Sequence, residues 1–107
     1  MKALLLAAVL LATGVAGCGG SAEDEKLGAV DAAREVYAEE GEGQDLSSGP
    51  CLANPLADPY ENWVVDIVHS PRQPVDDEAE NQCSAYRDGD ADHFVELDEY
   101  GHLVRAQ

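Results

Sequence analysis

Three alternating aspartates, Asp88, Asp90 and Asp92, are the carboxylates whose spacing is best suited to binding a cation. Positions 1, 3 and 5 of a calcium-binding loop supply carboxylates, and counting on from Asp88 places Glu99 at the liganding position 12. Position 6 needs glycine for a sharp turn, but it is His93 here. The spacing therefore leaves two interpretations open: a calcium site, or a solvated hairpin turn in a very acidic chain.

Other groups that could carry chemistry are scattered along the chain. His69, His93 and His102 could hold zinc or copper, but no two of them stand at a local ligand spacing. The serines lack the G-x-S-x-G frame or a comparable arrangement that activates a nucleophile, and no Gly-rich phosphate loop occurs. We therefore expect a non-enzymatic protein without a resident cofactor, with calcium at the three aspartates as the open alternative.

The first cysteine closes an N-terminal targeting pattern. Lys2 precedes an uncharged run from Ala3 to Gly17, which is too short to span a bilayer as a permanent helix. The run ends in the small residues Val15-Ala16-Gly17, followed at once by Cys18. This order resembles the lipobox signal of bacterial lipoproteins. A plain secretory signal followed by an unrelated cysteine is the alternative.

The lipobox resemblance implies a location and a modification. Residues 1–17 would be removed as a signal peptide, and the Cys18 thiol would carry a diacylglycerol group. Two acyl chains hold a protein stably at a membrane, whereas one chain binds only reversibly. The resemblance therefore implies anchoring through acylated Cys18 at the cell membrane or outer membrane, with the domain outside the cytoplasm. Residues 18–22 would then be the lipidated cysteine and a flexible tether, and residues 23–107 a single small domain.

The other two cysteines, Cys51 and Cys83, form the pair that remains once Cys18 is assigned to lipid. An exported chain meets an oxidising environment, which favours a disulfide between them. Such a bond closes a loop of about 33 residues and contributes on the order of 3 kcal/mol of stability in the chain-entropy model. No C-x-x-C spacing points to redox or metal chemistry instead.

Length and charge exclude several functions. The chain has 107 residues, with 6 Lys and Arg against 22 Asp and Glu, and a formal net charge of −16. This length allows one domain. Binding to nucleic acid is excluded, because neutralising phosphates requires many more basic residues than the chain has. Adhesion to anionic lipid through a basic patch is excluded for the same reason.

The polar segment from Ser70 to Gln82 carries the least periodic sequence in the chain. Pro71 and Pro74 forbid regular strand pairing along it. One interpretation is a rigid recognition loop that displays Arg72 and Gln73 to an envelope protein partner, since binding often resides on such loops. The other is a plain connection in which Arg72 pairs with nearby acids.

Hydrophobic spacing predicts the elements that position these groups. A helix from Ala22 to about Glu40 is indicated by the cap residue Ser21, by apolar positions at three- and four-residue spacing, and by Gly41 as a stop. The segment from Gly41 to Asn62 is expected to be irregular. Strands are expected in four segments: Trp63–His69, Ser84–Arg87, His93–Asp98 and His102–Ala106. The predicted class is α+β, with one N-terminal helix packed on an antiparallel sheet of three or four strands and a disulfide-pinned loop.

Two segments of this order resemble PepSY-type small cell-envelope modules. The segments are the strand from Trp63 to Val68 and the V-x-L-D-x-x-G-x-L hairpin from Val95 to Leu103. Such modules are generally binding or inhibitory parts of envelope proteins, and the resemblance brings no catalytic residues with it. The sequence thus predicts a membrane-anchored exported lipoprotein that acts as a small binding module. The alternative is a calcium- or metal-binding surface lipoprotein.

Overall fold

The computed structural model describes residues 21–107, so Cys18 and the rest of the expected signal lie outside the described residues. The architecture is α+β, as predicted. A helix, α1, leads into a four-stranded sheet, β1 to β4, and a short second helix, α2, precedes β3. Their bounds are α1 Ala22–Val36, β1 Cys51–Ala53, β2 Trp63–Ile67, α2 Ser84–Arg87, β3 His93–Leu97 and β4 Leu103–Ala106.

The helix α1 begins where the sequence placed it. The Ser21 hydroxyl accepts a hydrogen bond from the Asp24 N–H at 3.2 Å and so satisfies one of the free donors of the first turn. Ala22, assigned above to the tether, is its first residue. After Val36 the helix widens into a π-helical turn, Tyr37–Gly41, which ends at the expected glycine. Within residues 21–107, no helix is both long and apolar enough to cross a bilayer.

The sheet is mixed, so the expectation of an antiparallel sheet is wrong. The strand order is β1-β2-β3-β4, and the two outer pairs are antiparallel. The central pair, β2 and β3, is parallel, running in register from Trp63 beside His93 to Ile67 beside Leu97. Parallel strands need a long connection that returns the chain to the starting end, and residues 68–92, called the crossover below, supply it.

Two local predictions also differ from the structure. The segment Ser84–Arg87 is a single helical turn rather than a strand. It belongs to the crossover and packs against β2 from the face of the sheet, so it does not pair with the strands at an edge. Conversely, the segment expected to be irregular contains β1, which pairs antiparallel with β2. The predicted strands at Trp63, His93 and His102 are confirmed to within two residues at each end.

The main core lies between α1 and one face of the sheet. Alternation along β2 turns Trp63, Val65 and Ile67 toward the helix, where they pack with Val95 and Leu97 of β3. Five further buried residues complete this core: Ala29, Val30, Ala33, Leu46 and Leu56. The opposite face presents Val64 and Asp66 of β2, and only part of it is covered, by the crossover.

Cys51 and Cys83 are joined in a disulfide, with 4.9 Å between their Cα atoms, so the predicted pairing is confirmed. The bond ties the first strand to the residue that precedes α2. A second anchor of the crossover is Asp76, whose side chain is fully buried. Its carboxylate accepts hydrogen bonds from the N–H groups of His69 at 3.0 Å and Gln73 at 2.8 Å.

We expect reduction of the Cys51–Cys83 disulfide to lower the melting temperature of the protein by roughly 10 to 20 °C, because about 3 kcal/mol is a large share of a small domain's stability. The measurement is a thermal melt followed by circular dichroism, with and without reductant. A variant in which both cysteines are replaced by alanine serves as control, since reductant should leave its melting temperature unchanged. Identical melting of the reduced and oxidised protein would contradict the expectation.

Candidate functional site

A cleft of about 330 Å³ opens on the sheet face that α1 does not cover, and we call it the sheet cleft. Both the strands and the crossover line it. The strands contribute Val64, Asp66, Phe94, Glu96 and Arg105. The crossover contributes Arg72, Gln82, Cys83, Tyr86 and Arg87.

The floor of the cleft follows from strand register. Asp66 on β2 is aligned with Glu96 on β3, and Glu96 is aligned with Arg105 on β4. Residues aligned across neighbouring strands project from the same face, so these three side chains form one row across the sheet. Val64 and Phe94 form a second, parallel row that supplies an apolar floor.

Glu96 is the centre of the ionic contacts in the cleft. Its side chain is only 8% exposed, and each of its carboxylate oxygens has its own guanidinium partner. Arg72 Nη1 donates to one oxygen at 3.1 Å, and Arg105 Nε donates to the other at 3.3 Å. Arg72 also contacts Asp77 Oδ1 through Nε and Nη2, both at 3.0 Å. The Arg72 side chain therefore joins the crossover to the sheet.

Asp66 is the unpaired group of the cleft. Its Oδ1 atom is buried and has no hydrogen-bond partner among the described residues. Burial raises the pKa of Asp66 to about 8, the nearby charge of Glu96 adds to this, and the positive charge of Arg72 opposes it. At neutral pH the Asp66 side chain is therefore mainly a neutral carboxylic acid, which can donate a hydrogen bond as well as accept one.

The outer wall of the cleft is aromatic and cationic. Tyr86 and Phe94 meet edge to face, with 5.2 Å between ring centroids, and the guanidinium of Arg105 lies 4.9 Å from the centroid of Phe94. Arg87 donates through Nη1 to the carbonyl oxygen of Ala79 at 3.0 Å. Three of the chain's six basic residues thus line this one cleft.

The two residues proposed for recognition have different surroundings. Arg72 lines the sheet cleft, with 41% of its side chain exposed, and it pairs with the local acid Asp77 as the alternative interpretation expected. Its bond to the distant Glu96 was not foreseen. Gln73 is exposed and does not line the cleft, and its backbone N–H serves to hold the buried carboxylate of Asp76.

Asp76 is a buried charge that the fold supports. Burial by itself would raise its pKa, but the hydrogen bonds from the N–H groups of Gln73 and His69 outweigh this effect, and the pKa is lowered. The His69 ring makes an additional contact, with 2.9 Å between its Nδ1 and Asp76 Oδ1. The carboxylate has several donors inside the protein and faces no cleft, so its role is to hold the crossover.

The candidate metal ligands are not brought together. Asp88, Asp90 and Asp92 are exposed in the turn after α2, where the N–H of Asp90 bonds to the carbonyl of Ala85 and that of Asp92 to the side chain of Asn62. In the part of the chain that the structure describes, no group of three or more His, Cys, Asp or Glu side chains is placed to hold a metal ion. The calcium interpretation thus gains no support from the geometry.

The three histidines also lie in separate places. His69 contacts Asp76, and His102 Nδ1 lies 3.2 Å from Asp98 Oδ2. The ring of His93 stacks on Trp63, with 4.6 Å between centroids. Each imidazole therefore has a local partner of its own, in a different part of the fold.

Sequence reasoning missed most of the cleft, although a signal was present. Asp66 and Glu96 each interrupt an otherwise apolar strand, in WVVDIV and FVEL. A carboxylate inside a central strand must be desolvated or must find a partner, so such an interruption marks a candidate site. Arg105 and Tyr86 carry no comparable signal, because their approach to the cleft depends on tertiary structure alone.

Comparison with known proteins finds no matching family model, no matching curated protein and no matching solved structure. The resemblances to the lipoprotein signal and to PepSY-type modules therefore stay predictions. Function must be argued from the geometry of the cleft and from the N-terminal sequence.

We expect the Asp66→Asn variant to lose a pH dependence of stability that the native protein has. The pKa of Asp66 is higher in the folded protein, about 8, than in an unfolded chain, about 4. Its stabilising contribution is therefore fully present below about pH 4 and is lost as pH rises through about 8. The unfolding free energy of the native protein minus that of the variant should fall by at least about 1 kcal/mol between about pH 5 and pH 9.

Urea unfolding at about pH 5, 7 and 9 measures this difference. Asp31→Asn, on the exposed surface of α1, is the matched control and should follow the native pH dependence. If Asp66→Asn also follows it, Asp66 is ionised in the folded protein and the assignment is wrong.

Proposed function

We propose that the protein is an exported lipoprotein, held at a membrane by acylated Cys18, whose domain is a non-enzymatic binding module with the sheet cleft as its binding site. The observation that carries the proposal is the gathering of three arginines in one cleft of a strongly acidic chain. Charged side chains concentrated in a concave site with an apolar floor are typical of ligand recognition.

The N-terminal pattern supports the anchor. The small residues before Cys18 and the uncharged run from Ala3 to Gly17 satisfy the order of a lipoprotein signal. Only Gly19 and Gly20 separate Cys18 from Ser21, whose hydroxyl caps α1. A diacylglycerol group on Cys18 would therefore hold the domain close to the membrane surface through a very short linker.

The contacts around the cleft support binding. The disulfide at Cys83 and the bonds of Glu96 to Arg72 and Arg105 fix its walls before any ligand arrives. A site held in advance loses less side-chain freedom on binding, which increases affinity. The carboxyl group of Asp66, which lines the cleft, supplies a hydrogen-bonding group that a ligand can use.

The composition of the cleft favours binding over catalysis. None of its ten lining residues is Ser, Thr, His or Lys, and its one cysteine is held in a disulfide. The common pairing of a serine, threonine or cysteine nucleophile with a histidine base is therefore not available among the lining residues. Its carboxyl groups are arranged instead to organise arginines and to accept or donate hydrogen bonds.

We expect Cys18→Ser to abolish acylation and, with it, anchoring through lipid. The chain expressed in a bacterial host with lipoprotein processing should fractionate with membranes, and its intact mass should show cleavage before Cys18 with added acyl mass. The variant should be released or remain uncleaved, because serine provides no thiol for the lipid. A variant that is still cleaved before residue 18 and retained on membranes would contradict the lipoprotein proposal.

We expect the cleft to contact a ligand or partner in intact cells. The photoreactive residue p-benzoylphenylalanine is placed at Tyr86, on the cleft wall, or at Leu27, an even more exposed apolar position on α1. Irradiation should give covalent adducts from position 86 and not from position 27, because only the former lies in the proposed binding site. Mass spectrometry of the purified protein detects the adducts. Equal labelling at both positions, or none at position 86, would overturn the proposed site.

A further inference from the structure

We propose that the sheet cleft binds a small organic acid, a carboxylate carried on an aromatic or apolar body. The inference deepens the proposed function and rests on it, because it names the chemical class of the ligand for the same cleft. Charge, hydrogen-bonding capacity and shape of the cleft each favour this class.

The charge of the cleft is opposite to that of the chain. Three guanidinium groups line it, and the carboxyl groups of the lining are those of Glu96 and Asp66, so the lining itself is net positive in a chain whose formal charge is −16. Outside the lining, Asp77 pairs with Arg72 at 3.0 Å and Asp88 lies 3.8 Å from Arg87. An ionic contact is strongest where the surrounding surface excludes water, as in a cleft. An anionic group is therefore the complementary ligand.

The arginines keep donors for a ligand. A guanidinium has five N–H donors, and Arg105 directs its Nε to Glu96 while Arg87 directs Nη1 to the carbonyl of Ala79. The two Nη groups of Arg105 make no hydrogen bond among the described residues, so their N–H donors remain for a ligand. A carboxylate matches the paired N–H groups of a guanidinium and can accept two hydrogen bonds at once.

Asp66 completes the site for an anion. The burial of Oδ1 without a partner among the described residues disfavours the charged form of Asp66. Asp66 lines the cleft, where a protonated carboxyl group can donate a hydrogen bond to a ligand carboxylate. The charged groups that face it are Glu96 on β3 and Arg72 and Asp76 in the crossover. Ionised Asp66 would instead repel an anion. Binding should therefore weaken as pH rises through the range in which Asp66 loses its proton.

The apolar surface of the cleft favours a ligand whose remaining part, apart from the carboxylate, is aromatic or apolar. Val64 and Phe94 form the floor, and Tyr86, which meets Phe94 edge to face, forms a wall against which an aromatic ring can pack. A volume of about 330 Å³ is at the small end of the range for ligand pockets and suits a single ring with its acid group. Inorganic phosphate would leave this apolar surface unused.

The test is a titration of the isotope-labelled full chain in detergent, followed by NMR, with benzoate, neutral benzamide and inorganic phosphate as probes. Benzoate should bind in the millimolar range expected for so small a ligand and shift the amide signals of Val64, Tyr86 and Phe94. Benzamide and phosphate should each bind at least about tenfold more weakly. Benzamide binding as tightly as benzoate would contradict the requirement for a negative charge. Phosphate binding as tightly as benzoate would contradict the requirement for an apolar body.

Variants locate the binding site and separate it from effects on the fold. Arg105→Gln and Arg87→Gln should each weaken benzoate binding at least about fivefold, while Arg34→Gln, the same charge change on α1, should leave it unchanged. Arg87 makes one hydrogen bond, to Ala79, and one exposed ionic contact, with Asp88, so its variant stays informative if Arg105→Gln unfolds. Equal effects of all three variants would show that overall charge, rather than the cleft, attracts the anion.

The pH dependence is specific to Asp66. Benzoate affinity of the native protein should fall at least about threefold between about pH 6.5 and 9.5, and the Asp66→Asn variant should show no such fall because its amide donates at every pH. The same fall in the variant would overturn the part assigned to Asp66. Failure of benzoate to bind, with adducts still formed at position 86 in cells, would overturn the ligand class and leave the proposed function standing. If benzoate does not bind and no adducts form at position 86, both the ligand class and the proposed function are overturned.

Discussion

The parallel pairing of β2 and β3 is the constraint on which the rest of the structure depends. Because the two strands run in the same direction, the chain must travel back along the sheet between Val68 and Asp92. One face of the sheet is already occupied by α1, so the crossover lies over the other. The crossover contains only short helical turns, namely two 3-10 turns at Pro74–Asp77 and Ala79–Asn81 and one α-helical turn at Ser84–Arg87. It has few apolar residues and leaves part of that face open. The sheet cleft is this open part.

A connection with so little apolar surface needs other means to stay in place. The Cys51–Cys83 disulfide fixes its far end, and the buried carboxylate of Asp76 holds its near end through backbone N–H groups. Close to the Asp76 anchor, Arg72 reaches Glu96 on the sheet. Ionic and covalent contacts thus stabilise the crossover on its face of the sheet, whereas hydrophobic burial stabilises α1 on the other face. The same arginine and glutamate that hold the crossover also line the cleft, so stability and the proposed binding site share residues here.

Sequence patterns were sufficient for the parts of the fold that depend on local chemistry. The period of apolar residues and the Ser21 cap indicated α1, alternation indicated β2, and the cysteine count indicated the disulfide. Strand direction was beyond these patterns, because alternation is the same in parallel and antiparallel pairs. The single turn at Ser84–Arg87 was too short for periodicity to identify. The row of Asp66, Glu96 and Arg105 depends on register across three strands, which only the folded chain defines.

The strand order places β1 and β4 at the two edges of the sheet, where unpaired backbone groups could join a neighbouring molecule. Both edge pairings are irregular: β1 shifts register between Cys51 and Ala53, and β4 pairs with a shift between Glu96 and Leu97. Only the interior pair is regular. Bulged, short edges make poor templates for edge-to-edge association. The proposed lipid anchor would concentrate copies of the domain on a membrane surface. Under that condition the irregular edges would resist aggregation, while the regular central pair stabilises the sheet.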